Sequence, residues 1–229
     1  MENLKILGTS HIAKESIERV KEEIESGQYD IVTLELDNVR LYSLLHPSKA
    51  KIRATDIAKV GLKGYIFSLI GAWAENKLGA AVGVKPGTEM TMAYKLAKKK
   101  GLKIALVDQR IDITLSRLSK GITWKEKLNF AIDIIKSPFV RRPELRFDLR
   151  KVPSQEIINT LIKEVKERYP NFYRILVTER NQVMARNIHR IMKQNPGQRI
   201  LAIVGAGHEK ELELLIKQEG QITYSFTVG

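Results

Sequence analysis

The sequence predicts an α/β (α+β) fold with a mostly parallel central sheet, built from two related β–α–β units and carrying a large helical insertion. Two short apolar runs, residues 4–7 and 200–204, are each followed by Gly-x-x-His and then by a helical pattern. Each pattern runs to a glycine, after which a β-rich segment follows. This repeated order indicates a duplicated unit with an imidazole, His11 or His208, at the same place in each copy.

Hydrophobic periodicity and stop signals define the predicted elements. Short apolar or β-branched runs predict buried strands, over residues 4–7, 31–36, 103–107, 199–204 and 221–228. Apolar residues spaced three and four apart predict helices, over residues 13–25, 38–45, two within 50–84, then 88–100, 111–118, 123–136, 154–169, 178–194 and one that runs to Gly220.

Local residue chemistry supports several helix ends. Thr88 is expected to cap the helix over 88–100, and Glu89 suits the positive end of its dipole. Gly101 stops that helix. Ser154 is expected to cap a strongly amphipathic helix that Pro170 ends.

The chain of 229 residues is expected to form a single domain, because no low-complexity linker divides it. We assign the sheet core to about residues 1–49, 86–110 and 196–229, and the helical insertion to about 50–85 and 111–195. The basic, proline-containing stretch 137–153 is the expected hinge or insertion point.

Composition excludes several classes of protein. With no cysteine, the chain cannot use disulfides, thiolate catalysis or Cys-ligated zinc and iron–sulfur sites, and a cytoplasmic location is expected. No signal peptide is apparent at the start. The longest uncharged apolar stretch, residues 64–74, is too short for a bilayer, which takes about 20 residues, so no transmembrane segment is expected. That stretch favours a buried helix or a homodimer interface.

The chain carries a formal net charge of +13, which raises the chance of an anionic partner. Basic residues cluster in 95–103 and 141–151. Neither cluster has interleaved aromatic residues or a known nucleic-acid module, so no specific nucleic-acid binding is expected. A lysine-rich solvated surface explains the charge equally well.

Titratable side chains follow the first four predicted strands. His11 follows the first, Glu35 ends the second, Asp108 follows the third and His208 follows the fourth. Ligands bind open parallel sheets at the carboxyl ends of the strands, so these side chains are expected along one edge. Two imidazoles and one or two carboxylates form a ligand set for Zn, Mn, Co or Fe. Glu35, inside an apolar run, needs a partner.

Small residues surround both histidine motifs. Gly8 and Gly205 are expected to turn the backbone sharply after their strands. Residues 9–10 and 206–207 leave room for a substrate and expose backbone N–H groups suited to an oxyanion.

Simpler interpretations of these residues stay open. A single Gly-x-x-His occurs often by chance, and a histidine at a helix start is commonly solvated or capping. Asp108 and Arg110 fit an ordinary strand-end ion pair, and Glu89 fits a first-turn acid. His46 and His189 are expected to be structural. The sequence has no Walker loop, nucleophile elbow or His-Glu-x-x-His.

Five motifs occur in order: Gly8-Thr9-Ser10-His11, Glu35-Leu36-Asp37 with Arg40, Pro86-Gly87-Thr88-Glu89-Met90, Asp108-Gln109-Arg110 and Gly205-Ala206-Gly207-His208. Together they resemble the TraB/PrgY family, named for pheromone-shutdown proteins of bacterial plasmids. That family is similar to the Tiki metalloproteases and to the group containing erythromycin esterase and ChaN-like haem-binding proteins. The segment Thr178-Glu179-Arg180 is similar to a later acidic-Arg motif of the family.

The resemblance implies that His11, His208 and Glu35 form the active site. Arg40, Glu89 and Arg110 match further motif positions and would support those residues or orient substrate. In Tiki proteins such a constellation supports metal-dependent peptide cleavage. Many family members carry a C-terminal membrane segment, which is not expected here.

Our first hypothesis is a metal-dependent hydrolase of peptide or amide bonds that uses Mn, Co or Zn. His11 and His208 would hold the metal, and Glu35 would be the third ligand or the general base. Arg40 or Arg110 would steady a substrate carboxylate or the developing oxyanion. The remaining candidates for substrate binding are Gly8, Gly205, Gly207, Glu89, Asp108 and Arg180.

Two other hypotheses remain. One is a non-catalytic protein that sequesters a peptide or small signal in the same cleft, as in pheromone shutdown. The other is a basic nucleic-acid accessory protein, which would bind in a salt-sensitive manner without either histidine.

Overall fold

A four-stranded parallel sheet forms the centre of the computed structural model, which describes residues 3–10, 14–46, 87–136 and 154–222. In chain order the elements are β1 (Leu4–Thr9), α1 (Lys14–Glu25), β2 (Ile31–Leu34), α2 (Asn38–Leu45), α3 (Thr88–Lys99), β3 (Lys103–Leu106), α4 (Ile111–Gly121), α5 (Trp124–Lys136), α6 (Gln155–Arg168), α7 (Pro170–Tyr173), a π-helical turn (Arg174–Thr178), α8 (Glu179–Gln194), β4 (Ile200–Gly205) and α9 (Ala206–Ile222).

The strand order is β1-β4-β2-β3, with all neighbours parallel. β4 therefore lies between the two strands of the first unit: Ile200 pairs with Leu4 on one side and with Ile31 on the other. The predicted parallel sheet is confirmed. Since parallel strands share one direction, their carboxyl ends meet at one edge, which fixes where a site would form.

Helices cover both faces of this sheet. Leu201 and Ile203 of β4 pack in a buried cluster with residues of α1 and α3. Ala202 and Val204, which alternate with them, pack against α8 and α9. Burial on both faces explains the continuous apolar runs of β2 and β4, whose residues are all buried.

β3 corrects the prediction of a buried strand over 103–107. Its burial pattern runs from exposed at Lys103 to half-buried through Leu106. Among the described residues β3 pairs only with β2, at the margin of the sheet, so it has no described strand on its other side. An apolar run of this kind does not distinguish an edge strand from a central one.

The start of α3 and the end of α9 also differ from prediction. Thr88 is the first residue of α3, and the cap is Gly87, at φ 76° with no side-chain cap bond. The positive φ explains the glycine, because residues with a side chain rarely adopt that conformation. Gly220 lies inside α9, which continues to Ile222, so the strand predicted from residue 221 is wrong over its first two residues.

Polar caps fix the helices of the α5–α7 region. Ser154 caps α6 as predicted, its Oγ accepting from Ile157 N at 3.4 Å. Pro170 is the first residue of α7 rather than only a stop for α6. The buried Glu126 caps two helices at once: it accepts from the backbone N–H of Thr123 at 3.0 Å and of Asn171 at 2.7 Å.

The helix predicted over 38–45 is confirmed with the same limits. The two helices predicted within 50–84, the hinge at 137–153 and the remainder of the last predicted strand lie outside the described residues. In the part of the chain that is described, no helix combines the length and apolar character needed to span a membrane.

Candidate functional site at the carboxyl edge of the sheet

Three of the four predicted edge residues lie side by side where the strands end. Glu35 follows β2, Asp108 follows β3 by two residues, and His208 lies in the first turn of α9 after β4. All three are nearly buried, with exposed fractions of 5%, 8% and 9%. The fourth, His11, lies outside the described residues.

Arg180 of α8 joins these side chains into one cluster. Its Nη2 donates to Glu35 Oε1 and, at 2.6 Å, to Asp108 Oδ2, while its Nε donates to Asp108 Oδ1 at 3.0 Å. Two parallel bonds to one carboxylate give the guanidinium a fixed orientation. Burial lowers the pKa of Arg180, but the charges of Glu35 and Asp108 outweigh it and hold the pKa above its ordinary value.

The π-helical turn before α8 helps to place this guanidinium. Arg180 Nη1 donates to the backbone carbonyl of Leu176, inside that turn, at 3.0 Å. π-helical segments are rare and frequently occur at functional sites. The carbonyl therefore holds Nη1, whereas Nε and Nη2 make the bonds to the two carboxylates.

Asp37 and Arg40 extend the cluster through α2. Asp37 Oδ1 caps α2 by accepting from Val39 N at 2.7 Å and Arg40 N at 2.9 Å. Its Oδ2 accepts from Arg40 Nε at 3.2 Å and from Ile111 N at 2.8 Å. Arg40 Nη2 then reaches Asp108 Oδ2. The motif Glu35-Leu36-Asp37 with Arg40 is thus one connected structural unit.

The Glu35 carboxylate is fixed between two strands. Its Oε2 accepts from Gly205 N at 2.6 Å, at the end of β4. Its Oε1 accepts from Arg180 and lies 3.3 Å from His208 Nε2. The backbone N–H therefore sets which carboxylate oxygen faces the imidazole.

Hydrogen bonding also sets the tautomer of His208. Asn181 Nδ2 donates to the Glu211 carboxylate at 3.1 Å, so Asn181 Oδ1 faces His208 Nδ1, at 2.7 Å. An amide oxygen only accepts, so Nδ1 carries the proton. In the neutral ring, Nε2 then presents its lone pair towards Glu35 Oε1 and Arg180 Nη1, the latter at 3.4 Å.

Two acceptor atoms that face each other favour a cation near both. An imidazolium proton would satisfy the pair, and the Arg180 guanidinium already contacts both atoms. A metal ion also fits the donor set: tetrahedral bonds of about 2.0–2.1 Å separate neighbouring ligand atoms by about 3.3 Å. Across the described ranges no group of three or more His, Asp or Glu side chains could hold a metal, so a third protein ligand would come from elsewhere.

The glycines of the two histidine motifs do not act as predicted. Gly8 lies inside β1 and Gly205 inside β4, and neither has the positive φ of a sharp turn. Space at Gly8 is limited instead: a Cβ there would meet the movable Glu209 carboxylate and would lie 3.2 Å from the backbone Cα of Ala206. Gly207, in the first turn of α9, has no such neighbour within 4 Å.

Two of the predicted site residues, Arg110 and Glu89, are not among the contacts described above. Arg110 has a side chain that is 67% exposed and pairs with Asp112, Nη2 to Oδ2 at 2.9 Å. Glu89 is an acid of the first turn of α3, which agrees with the simpler interpretation, and it is only 1% exposed. Its functional assignment stays a prediction.

Sequence reasoning missed Asp37, Asn181 and Glu211 as members of the site. Asn181 adjoins the Thr178-Glu179-Arg180 motif, and Glu211 lies one helical turn after His208. A polar residue three positions after a candidate histidine shares its helix face, and this spacing was the available signal.

Comparisons with known proteins agree with the family that the motifs resemble. The family model described as the TraB/PrgY/gumN family matches residues 2–221. An uncharacterised protein of Methanocaldococcus jannaschii is 36% identical over 218 residues, which cover 93% of this chain and 53% of that protein. TraB domain-containing proteins of mouse and human are 22% identical over 187 residues, covering 77% of this chain and 49% of each. The chain thus spans about half the length of the curated relatives it matches. Since the family model covers nearly all of the sequence, the chain belongs to the TraB/PrgY/gumN family.

Proposed function

We propose that this chain is a metal-dependent hydrolase of peptide or amide bonds, with Glu35 and His208 at its centre. The observation that carries the proposal is the 3.3 Å approach of His208 Nε2 to Glu35 Oε1, in a ring whose proton is committed to Nδ1. An imidazole nitrogen and a carboxylate oxygen at this separation suit a divalent ion such as Mn, Co or Zn.

The proposed ligands are His208 and Glu35, with His11 as the third. A divalent ion held there would lower the pKa of a water molecule and polarise the substrate carbonyl. Glu35 is held by Gly205 N and Arg180, so it keeps one orientation whether it serves as ligand or as general base. Fixed orientation of that kind reduces the reorganisation needed in the transition state.

Arg40 is the proposed contact for substrate. Its side chain is 28% exposed, against 13% for Arg180, although both contact Asp108. A guanidinium that is held on one side and open on the other suits a substrate carboxylate or a developing oxyanion. The N–H groups at the start of α9, around Gly207, would add to this.

Metal content and peptide turnover test the proposal together. We expect the wild-type chain to bind Mn, Co or Zn and to cleave fluorogenic peptides, and His208→Ala and Glu35→Gln to lose both. His46→Ala, which removes an exposed histidine at the end of α2, is the matched control. Equal metal stoichiometry in the wild type and in the His11→Ala/His208→Ala double variant would remove the proposal.

A second candidate is a non-catalytic protein that binds a peptide or small signal at the same edge. The contact of Arg180 with both Glu35 and His208 favours it, because a built-in cation satisfies the pair without metal. This candidate predicts saturable peptide binding with no turnover in the presence of Mn, Co or Zn.

A further inference from the structure

We infer that Asn181 is a positioning residue for His208, and that Glu211 sets the direction in which the Asn181 amide points. The inference rests on the proposed function in one respect, that His208 Nε2 is the atom presented to the ion. Asn181 is 0% exposed and lies between the two residues, contacting Glu211 at 3.1 Å and His208 at 2.7 Å.

The direction of the amide follows from what Glu211 can offer. A carboxylate accepts hydrogen bonds, so the NH2 group of Asn181 turns towards Glu211 and the oxygen turns towards His208. The reverse orientation would place two oxygen acceptors against each other in a buried space, where an unmade hydrogen bond costs about 1–3 kcal/mol. Burial leaves little access for water to replace the lost bond.

Tyr173 strengthens this constraint by a second hydrogen bond to Glu211. Its hydroxyl donates to Glu211 Oε2 at 3.2 Å, the same oxygen that accepts from Asn181. Burial, together with the charge and hydrogen bond of Glu211, raises the pKa of Tyr173 to about 12, so the hydroxyl keeps its proton. Glu211 therefore receives two donors and has a fixed place.

The consequence appears at the other nitrogen of the ring. With the proton held at Nδ1, the neutral His208 keeps a lone pair at Nε2, opposite Glu35 Oε1. With the amide reversed, the proton would move to Nε2, and the Nε2–H group would donate to Glu35. The Nε2 lone pair would then not be there to bind an ion. Glu211 and Asn181 thus direct the Nε2 lone pair towards Glu35, as partners of the outer nitrogen orient other metal-binding histidines.

The first test is the tautomer of His208 in the metal-free chain, from ¹⁵N chemical shifts of the ring at a pH where it is neutral. We expect the Nδ1–H form in the wild type. We expect Glu211→Gln, whose amide can donate or accept, to convert at least half of the population to the Nε2–H form. Glu213→Gln is the matched control, because Glu213 is exposed on the same helix and pairs with Lys217.

Metal affinity provides the second readout, with Zn and Co as probes in equilibrium dialysis. We expect Glu211→Gln and Asn181→Leu to weaken binding about 10- to 100-fold, and Glu213→Gln to leave it unchanged. An Nε2–H wild-type ring, or a Glu211→Gln variant with wild-type tautomer and affinity, would overturn the inference. If Glu211→Gln fails to fold, the tautomer of the wild-type ring still tests the inference, because an Nε2–H ring would overturn it. If the wild type has the Nδ1–H ring but binds no metal, the proposed function fails while the assignment of Asn181 and Glu211 stands.

Discussion

Replacement of Arg180 by methionine tests whether its guanidinium holds the site together. Methionine keeps much of the side-chain volume but removes three bonds to the Glu35 and Asp108 carboxylates and one to the Leu176 carbonyl. Breaking a buried ion pair by removing one partner costs about 3–5 kcal/mol. Arg40 still contacts Asp108, and Gly205 N still contacts Glu35, so we expect the lower end, about 3 kcal/mol.

Urea denaturation of Arg180→Met measures this loss, with Arg186→Met as the control because Arg186 is exposed on the same helix. A divalent ion should stabilise Arg180→Met more than the wild type, since binding to the folded state raises its stability and the competing guanidinium is gone. If the stability of Arg180→Met lies within about 0.5 kcal/mol of Arg186→Met, the cluster is not the structural centre that its contacts indicate.

Two further substitutions test other parts of the molecule. Gly8→Ala should destabilise the fold by about 1 kcal/mol, the lower end for overpacking, since the Glu209 carboxylate can move and only the Ala206 backbone is fixed, whereas Gly207→Ala should be close to neutral; equal thermal midpoints would contradict this. Burial raises the pKa of Glu126, but hydrogen bonds from two helix starts lower it by a larger amount. The net pKa therefore lies below its ordinary value of 4.5. Its stabilising effect is therefore present above pH 4.5 and disappears as the pH falls through the folded-state pKa. Glu126→Ala should cost about 2 kcal/mol at pH 7 and progressively less in acid, as followed by urea midpoints at several pH values; a pH-independent loss would count against the double cap.

The sequence predicted the sheet and the edge but not every contact at that edge. Periodicity located β2 and β4 because both are buried on two faces, so their apolar runs were unambiguous. It predicted β3 as buried although the strand is partly exposed, since strand order depends on the pairing of distant segments. Likewise, Thr88 was predicted as the cap of α3 from its hydroxyl, but the chain enters the helix through the positive φ of Gly87, and Thr88 is the first helical residue.

Some residues of the candidate site were likewise predicted from the sequence, and others were not. Glu35, Asp108 and His208 were predicted because each follows a strand, and topology then brings them together. Asn181 was missed because its importance comes from a side-chain hydrogen bond between α8 and α9. Arg110 was predicted from its motif, but its contact is with Asp112, because local pairing at the start of α4 satisfies it.

The position of β4 in the middle of the sheet has a consequence for biosynthesis. This strand is the last of the four to leave the ribosome, yet β1 and β2 each require it as a neighbour. A nascent chain that lacks residues 200–205 leaves β1 without its partner and Glu35 without the N–H of Gly205. Ribosome-bound intermediates should therefore show native helical content before any capacity to bind a ligand, because the long-range pairing closes last.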